Sequence, residues 1–349
     1  MHHLPVRTAH PTELTNVRRV HPVHHLPKQH GFTLVELLVA TMLAAILLVA
    51  IGGVAGQVVD THDHVTERNE LNRQARFAMD QMVRMVSQSR LLLLPQADKT
   101  VTPFVENIRE QTIPASTPPT GSIYATAVLA VTLPATIDLD GNGVPDADND
   151  GDGRLDEDLP ADVTNDGKPG ISGIDDDGAG VVDYFLSPVA DDDESGDFSQ
   201  NEDPLNGIDD DADGIVDEDP GADTNGDGCA GICGVDDDAD GNLDEGATAD
   251  DDEDGSSDED WLDPVVFYLN GGTLMQRTQV PWDISGDGFV SGQDFIAEPI
   301  AENVTRFRVE RLPLTATGQQ LVELTLELTS PASGEMVSLS TRVRLGGAL

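Results

Sequence analysis

Positive charge is scarce in this chain. Its 349 residues hold 19 Lys and Arg against 65 Asp and Glu, a net charge of −46. Nucleic-acid binding is disfavoured, because attraction to phosphate needs the opposite sign. Cysteine is scarce too, limited to Cys229 and Cys233. A structural zinc site takes four Cys or His ligands as a rule, and no His lies near this pair. The pair reads either as a small disulfide loop in an oxidising compartment or as two free thiols. Beyond residue 30 the only histidines are His62 and His64, so no Ser/His/Asp cluster stands out. Long apolar runs are equally rare: there is one, beginning at Phe32.

What is abundant is acid, and it is concentrated. From Asp138 to Asp263 there are 46 acids and two bases, Arg154 and Lys168. The rest is nearly neutral, with 19 acids against 17 bases. The acidity belongs to one insert, which should repel itself and stay unfolded unless cations neutralise it.

Residues 1–30 carry seven histidines with Arg7, Arg18, Arg19 and Lys28. They read as a basic cytoplasmic leader ahead of a membrane segment. A His-rich metal-binding tract and a mis-assigned start codon are the other readings. Phe32 to Gly56 is a stretch of 25 residues whose only charge is Glu36. About 20 apolar residues cross a bilayer as a helix. A secretory signal has a shorter core, cut on its far side, and no Ala-x-Ala break ends this run.

Gly31-Phe32-Thr33-Leu34-Val35-Glu36, followed by that run, resembles the class III signal of type IV prepilins and type II secretion pseudopilins. The resemblance implies cleavage between Gly31 and Phe32 by prepilin peptidase, which then N-methylates Phe32. It implies a single-pass inner-membrane precursor that later enters a periplasmic or cell-surface filament. The implied partners are other pilin or pseudopilin subunits, prepilin peptidase and an inner-membrane assembly platform, with no nucleic acid. A carboxylate inside a membrane is costly unless paired. In a pilin-like filament Glu36 would pair with the terminal ammonium of a neighbouring Phe32 and set the axial register. The alternative is an acid tolerated near the cytoplasmic interface.

Past Gln57 the pattern turns amphipathic, with Ala75, Met79, Met82 and Val86 at three- and four-residue spacing. One helix is expected from Phe32 to about Leu92, ending before Pro95. Strand patterns follow at Ile123–Leu133, Val265–Leu269, Val322–Leu328 and Val337–Leu345, and Asn270-Gly271 signals a tight hairpin. These predict an antiparallel sheet with one face on the helix. "ARFAMDQMVRMV" (Ala75–Val86), "VVFYLNGGTLMQR" and "STRVRL" resemble the PilW minor pilins and the PulJ (GspJ) pseudopilins. The expected class is α+β, a pilin-like fold with a long N-terminal helix on an antiparallel head.

Within the insert, aspartates recur at alternating positions before a glycine. One unit holds Asp148, Asp150, Asp152 and Asp156; another holds Asp209, Asp211, Asp213 and Asp217. Asp236, Asp238, Asp240 and Asp244 repeat the form, as do Asp250, Asp252, Asp254 and Asp258. Asp175, Asp177 and Asp183 make a unit lacking one ligand, and Asp138, Asp140 and Asn142 begin another. Calcium takes about six to eight oxygen ligands. Carboxylates at positions one, three and five of a curled loop converge on one point, and glycine at six permits the turn. The units resemble thrombospondin type 3 repeats. Outside the insert, Asp283, Ser285, Asp287, Phe289, Ser291 and Asp294 resemble an EF-hand loop whose final Glu is replaced by Asp294. Thr164–Asp183 duplicates Asn225–Asp244 at an offset of 61. Several structural Ca2+ ions are therefore expected, against the bland reading of a solvated, disordered acidic loop. Calcium accounts for the paired carboxylates better than glycosidase chemistry does.

The expected organisation is a leader (1–31), a helix (32–94), a first part of the head (95–137), the insert (138–262) and a second part of the head (263–349) that includes loop 283–294. The expected role is a non-enzymatic minor pilin or pseudopilin. A calcium-dependent surface adhesin anchored by a pilin stem is the alternative. A signal-anchored hydrolase would need a pocket that the sequence does not show.

Overall fold

The structure, a computed structural model, describes residues 33–100, 102–106, 108–112, 128–176, 182–183, 189–192, 200–201, 203, 219–237, 240–313 and 320–346. It divides into two units, Met1–Asp60 and Thr61–Leu349.

In the first unit the described residues are almost all helical. They belong to α1, Leu34–Gln88, which runs on into the second unit. Leu34–Gly53 has a mean hydropathy of 2.7 and buries none of its side chains in the protein. Twenty helical residues rise about 30 Å, the thickness of a bilayer's hydrocarbon core. Its side chains are satisfied only by lipid or by other apolar helices.

In the second unit α1 becomes two-sided. Leu71, Ala75, Ala78, Met79, Met82, Met85 and Val86 are buried in the main core, while Arg73, Arg76, Asp80 and Arg84 face solvent. The helix ends at Gln88, not at about Leu92 as expected. Ser89 is buried, and its hydroxyl donates to the Thr132 carbonyl at 2.7 Å. That contact turns the chain, and Leu92–Leu94 becomes strand β1, paired with β5 (Val128–Thr132).

The strands form two main antiparallel sheets and not the single one expected. One has the order β1-β5-β6-β7-β8, with β6 Pro264–Asn270, β7 Thr273–Gln279 and β8 Phe295–Ala301. The other is β11-β10-β9-β4, with β4 Ile108–Thr112, β9 Val304–Leu312, β10 Leu321–Thr329 and β11 Met336–Arg344. Strands β2 (Ala97–Thr100) and β3 (Thr102–Glu106) form a separate pair. The hairpin falls where Asn270-Gly271 placed it. Asn270 pairs with Thr273, and Gly271 and Gly272 both take positive φ, 57° and 89°, as a twist-matched two-residue turn requires.

Alternation decides which face is inside. Along β10 every second residue is buried, and Val322, Leu324, Leu326 and Leu328 meet the helix side of the core. Strands β5 and β6 do not alternate; they are buried on both faces. Leu129, Val131, Val265, Phe267 and Leu269 join the helix-side core. Their neighbours Val128, Ala130, Val266 and Tyr268 pack on the reverse face against Ile171 and Ile174, which belong to the acidic insert. One face lies on the helix, as expected, and the insert covers the other. Continuous apolar strands are what two buried faces demand. Ile123 to Ala127 lie outside the described residues.

The duplication gives this contact an internal control. Ile171 and Ile174 correspond, 61 residues on, to Ile232 and Val235, which are exposed. We expect Ile174→Ala to destabilise the second unit by about 2–5 kcal/mol. Val235→Ala should stay within about 0.5 kcal/mol. Urea unfolding of the detergent-solubilised chain checks the pair.

Candidate functional site

At the start of α1, Thr33 and Glu36 hold each other. The Glu36 amide donates to Thr33 Oγ1 (3.2 Å), and Glu36 Oε2 accepts from the Thr33 amide and hydroxyl, both at 2.9 Å. This is a capping box. It satisfies donors that a helix start leaves open and sets a negative charge at the positive end of the helix dipole. The Thr-x-x-Glu spacing carries that signal in the sequence. Gly31 and Phe32 lie outside the described residues.

The insert, between β5 and β6, contains no regular strand among the described residues; an isolated bridge joins Asp203 to Asp219. Its order comes from carboxylates that accept backbone amides of their own loops. In the first loop Asp138 accepts from the amides of Gly141 (2.6 Å) and Gly143 (3.0 Å). Asp140 accepts from Asn142 (2.9 Å), and Asn142 Oδ1 from Val144 (2.6 Å). The second loop repeats this through Asp148 and Gly151, Asp150 and Asp152, and Asp152 and Arg154, at 2.7, 2.9 and 2.6 Å. The loop at Asp236 does so through Gly241 and, from Asp240, Asn242. The loop at Asp250 does so through Gly255 and, from Asp252 and Asp254, the amides of Asp254 and Ser256. Each first aspartate curls the chain around itself, and the glycine at six takes positive φ, as at Gly143 (92°) and Gly153 (101°).

Two loops of this kind were not singled out from the sequence. Asp162, Thr164 and Asp166 form one, closed by the Gly167 amide on Asp162 (2.8 Å). Asp223, Asn225 and Asp227 form the other, closed by Gly228 on Asp223 (2.9 Å). Both open the duplicated segment, Asp162 and Asp223 standing two residues ahead of its copies, and the bonds within the copies repeat at the same offset of 61. Ile171 donates to Asp176 as Ile232 does to Asp237; Gly173 donates to Asp183 as Gly234 does to Asp244. Cys229 and Cys233 are joined as a disulfide, with Cα atoms 5.2 Å apart.

Several of the expected ligands converge. Asp138, Asp140 and Asp146 each bring an oxygen within 4.8 Å of the others, and so do Asp148, Asp150 and Asp152. Two further groups draw on both ends of the insert: Asp150, Asp254 and Glu259, and Asp152, Glu157 and Asp252. Asp156 lies elsewhere, with its carboxylate 3.3 Å from Arg90 at the end of α1. Asp175 is fully buried, and Asp258 has positive φ, 61°. Asp177, Asp209, Asp211, Asp213, Asp217 and Asp238 lie outside the described residues.

Burial and crowding press on these groups. Burial, followed by contact with Asp260, pushes the Glu157 carboxyl up to about 9. Burial, followed by contact with Asp158, pushes Glu259 up to about 8. Burial raises Asp166 to about 7 and Asp251 to about 6, against amide bonds that pull them down. The chain alone thus disfavours the charges its sequence installs. Glu157 Oε2, Asp158 Oδ2 and Glu259 Oε2 are enclosed with no hydrogen-bond partner. Their donor set is carboxylate oxygen, the chemistry of a hard divalent cation such as calcium; the sulfurs are bonded to each other. These residues fit calcium.

Outside the insert, loop 283–294 joins β7 to β8. Asp283 accepts from Gly286 and Gly288, and Asp287 from Phe289 (2.9 Å). Ser285 Oγ donates to Asp283 at 3.3 Å. Asp294 is fully buried and accepts the amides of Ile284 (2.6 Å), Ser285 (2.7 Å) and Ser291 (3.0 Å). Burial pushes its carboxyl up, but those amides outweigh burial and hold it below the usual range. The loop leans on the insert: Gln293 Nε2 donates to the Asp166 carbonyl at 2.8 Å, and the Gly292 amide to that of Asn165 at 3.0 Å.

Residues 26–52 match the family model of the prokaryotic N-terminal methylation motif. With the apolar helix behind it, the motif supports a type IV pilin-like precursor anchored in the inner membrane. It implies processing by prepilin peptidase and assembly with other pilins. It points to a structural subunit. No curated protein and no solved structure matches the chain.

Asp294→Ala strands three amides at once. Leaving a buried donor unsatisfied costs about 1–3 kcal/mol. We expect hydrogen exchange at Ser285 and Ser291 to speed up at least tenfold in chelator, with exchange in β10 unchanged.

Proposed function

We propose that the protein is a minor pilin or pseudopilin-like subunit of a type IV pilus or type II secretion pseudopilus, with an insert that calcium turns into a rigid lobe. The observation that carries the first half is the methylation motif leading into a 20-residue, strongly hydrophobic helical segment with no protein cover. The stretches that resemble PilW and PulJ lie in the second unit, within the last part of α1, in the hairpin of β6 and β7 and at the end of β11, which supports the minor-pilin reading. Cleavage between Gly31 and Phe32 would free the amine that Phe32 carries. Glu36 already folds back onto the Thr33 amide. In a filament it would exchange that intrachain donor for the ammonium of a neighbour's Phe32, a stronger, charge-assisted bond.

The second half rests on the enclosed, partnerless carboxylate oxygens of Glu157, Asp158 and Glu259. Metal binding couples to folding because the unfolded chain has no preformed site. Bound calcium would neutralise a segment that otherwise repels itself. After assembly the lobe would stand on the periplasmic or cell-surface side, where calcium is plentiful and disulfides persist.

Two outcomes test the proposal. Glu36→Gln should leave N-terminal processing intact, read by sequencing the mature chain, and should lower recovery in sheared filaments or the pseudopilus at least tenfold. Normal incorporation would sink the register role of Glu36. EDTA should lower the melting temperature of the full chain in detergent and expose residues 138–262 to protease, and calcium should restore both. Identical melting and digestion with and without calcium would remove the second half of the proposal and leave the first standing.

A further inference from the structure

Loops 148–158 and 250–260 occupy opposite ends of the insert, yet they share a pattern, Asp-x-Asp-x-Asp-Gly-x-x-Asp-Glu-Asp. They also face each other reciprocally. The Asp251 amide donates to Asp158 Oδ1 at 3.1 Å, and the Asn149 amide donates to Asp260 Oδ1 at 2.9 Å. In each case the second residue of one loop is held by the eleventh of the other. The three-carboxylate groups obey the same rule. Asp150 is position three of the first loop and joins positions five and ten of the second, Asp254 and Glu259. Asp252 is position three of the second loop and joins positions five and ten of the first, Asp152 and Glu157. Neither loop completes either group alone.

The two groups differ at position seven. There the first loop has Arg154, whose guanidinium lies 3.2 Å from Asp252 and 3.7 Å from Asp152. It also donates to the Asp237 carbonyl at 2.7 Å. One group therefore already has its cation. The second loop has Ser256 at that position, so no guanidinium from position seven serves Asp150, Asp254 and Glu259. A buried side chain points the same way. Asp158 is 1% exposed, its Oδ2 has no hydrogen-bond partner, and it lies against Glu259, whose Oε2 is also enclosed without one.

We propose that Asp150, Asp254 and Glu259, backed by Asp158, form an inter-loop site for one divalent cation, and that Arg154 does the same work in the mirror-related group. The ion would clasp the two ends of the insert where they leave β5 and return to β6. This deepens the calcium reading above and rests on it. The ligands are separated by more than 100 residues in sequence, so binding here closes a long chain segment and is lost when either end is altered.

Trp261 stands two residues beyond Glu259, and the other tryptophan, Trp282, precedes loop 283–294. In the full chain carrying Trp282→Phe, terbium luminescence sensitised through Trp261 reports on this end of the insert. Two variants decide. Asp150→Asn keeps the acceptor that Asp150 offers to the Asp152 amide, yet sits on the far loop. Ser256→Arg removes no carboxylate and copies the guanidinium of the mirror group. We expect each to lower the sensitised emission at least threefold, as Asp254→Asn does, and to remove one calcium per chain by equilibrium dialysis. Wild-type emission in either variant, with Asp254→Asn still defective, overturns the shared site and leaves single-loop calcium binding intact. If the parent chain binds neither terbium nor calcium, the calcium reading itself fails.

Discussion

Like charges held closer than they would choose are the constraint on which the acidic insert of this molecule depends. Carboxylate oxygens from three residues meet within 4.8 Å in each cluster. At an effective dielectric of about 20, one such pair of unit charges costs about 3–4 kcal/mol. Backbone amides relieve part of this, because each loop's first aspartate accepts two of them in the best-formed cases. Amides are neutral dipoles, however, and leave the net charge in place. Arg154 is one of only two bases among 46 acids, and the structure spends it on two carboxylates from opposite ends of the insert. In the reading proposed above, a cation from outside the chain would serve the remaining clusters.

The same constraint links the lobe to the head. A self-repelling segment gains little from packing, yet Ile171 and Ile174 lie buried against Val266 and Tyr268. Arg277, nearly buried between β6 and β8, donates to the Ser172 carbonyl and stacks on Phe295, 3.7 Å from the ring centre. Loop 283–294 also bonds to the carbonyls of Asn165 and Asp166. Charge and apolar contact thus divide the labour. Apolar side chains seat the first copy of the repeat on the sheet, and aspartates shape the loops around it.

Much of this was legible in the sequence. The membrane run, the buried stripe at Ala75, Met79, Met82 and Val86, the Asn270-Gly271 turn and the alternation of β10 follow from local rules that the structure obeys. The end of α1 was not legible, because Ser89 stops the helix through Thr132, a partner 43 residues away. Nor was the second face of β5 and β6. The β5 segment reads as one end of an alternating pattern, and nothing local says that an acidic insert covers its second face. In the loops, spacing revealed the aspartates at positions one, three and five. The glutamates at position ten, Glu157 and Glu259, were hidden because each completes a cluster that includes a residue from another loop. The capping box of Thr33 and Glu36 was local and simply overshadowed by the cleavage motif that contains it.

The seating of Ile171 and Ile174 changes what kind of addition the insert is. An ornament hung from a loop can be clipped off, and the sheet beneath it keeps a polar skin. Here the sheet under the insert has no such skin: Val128, Ala130, Val266 and Tyr268 are what solvent would meet. Head and insert share that cluster and lie in one compact unit. A shortened version would need hydrophilic replacements at those four positions before it could remain dispersed in water.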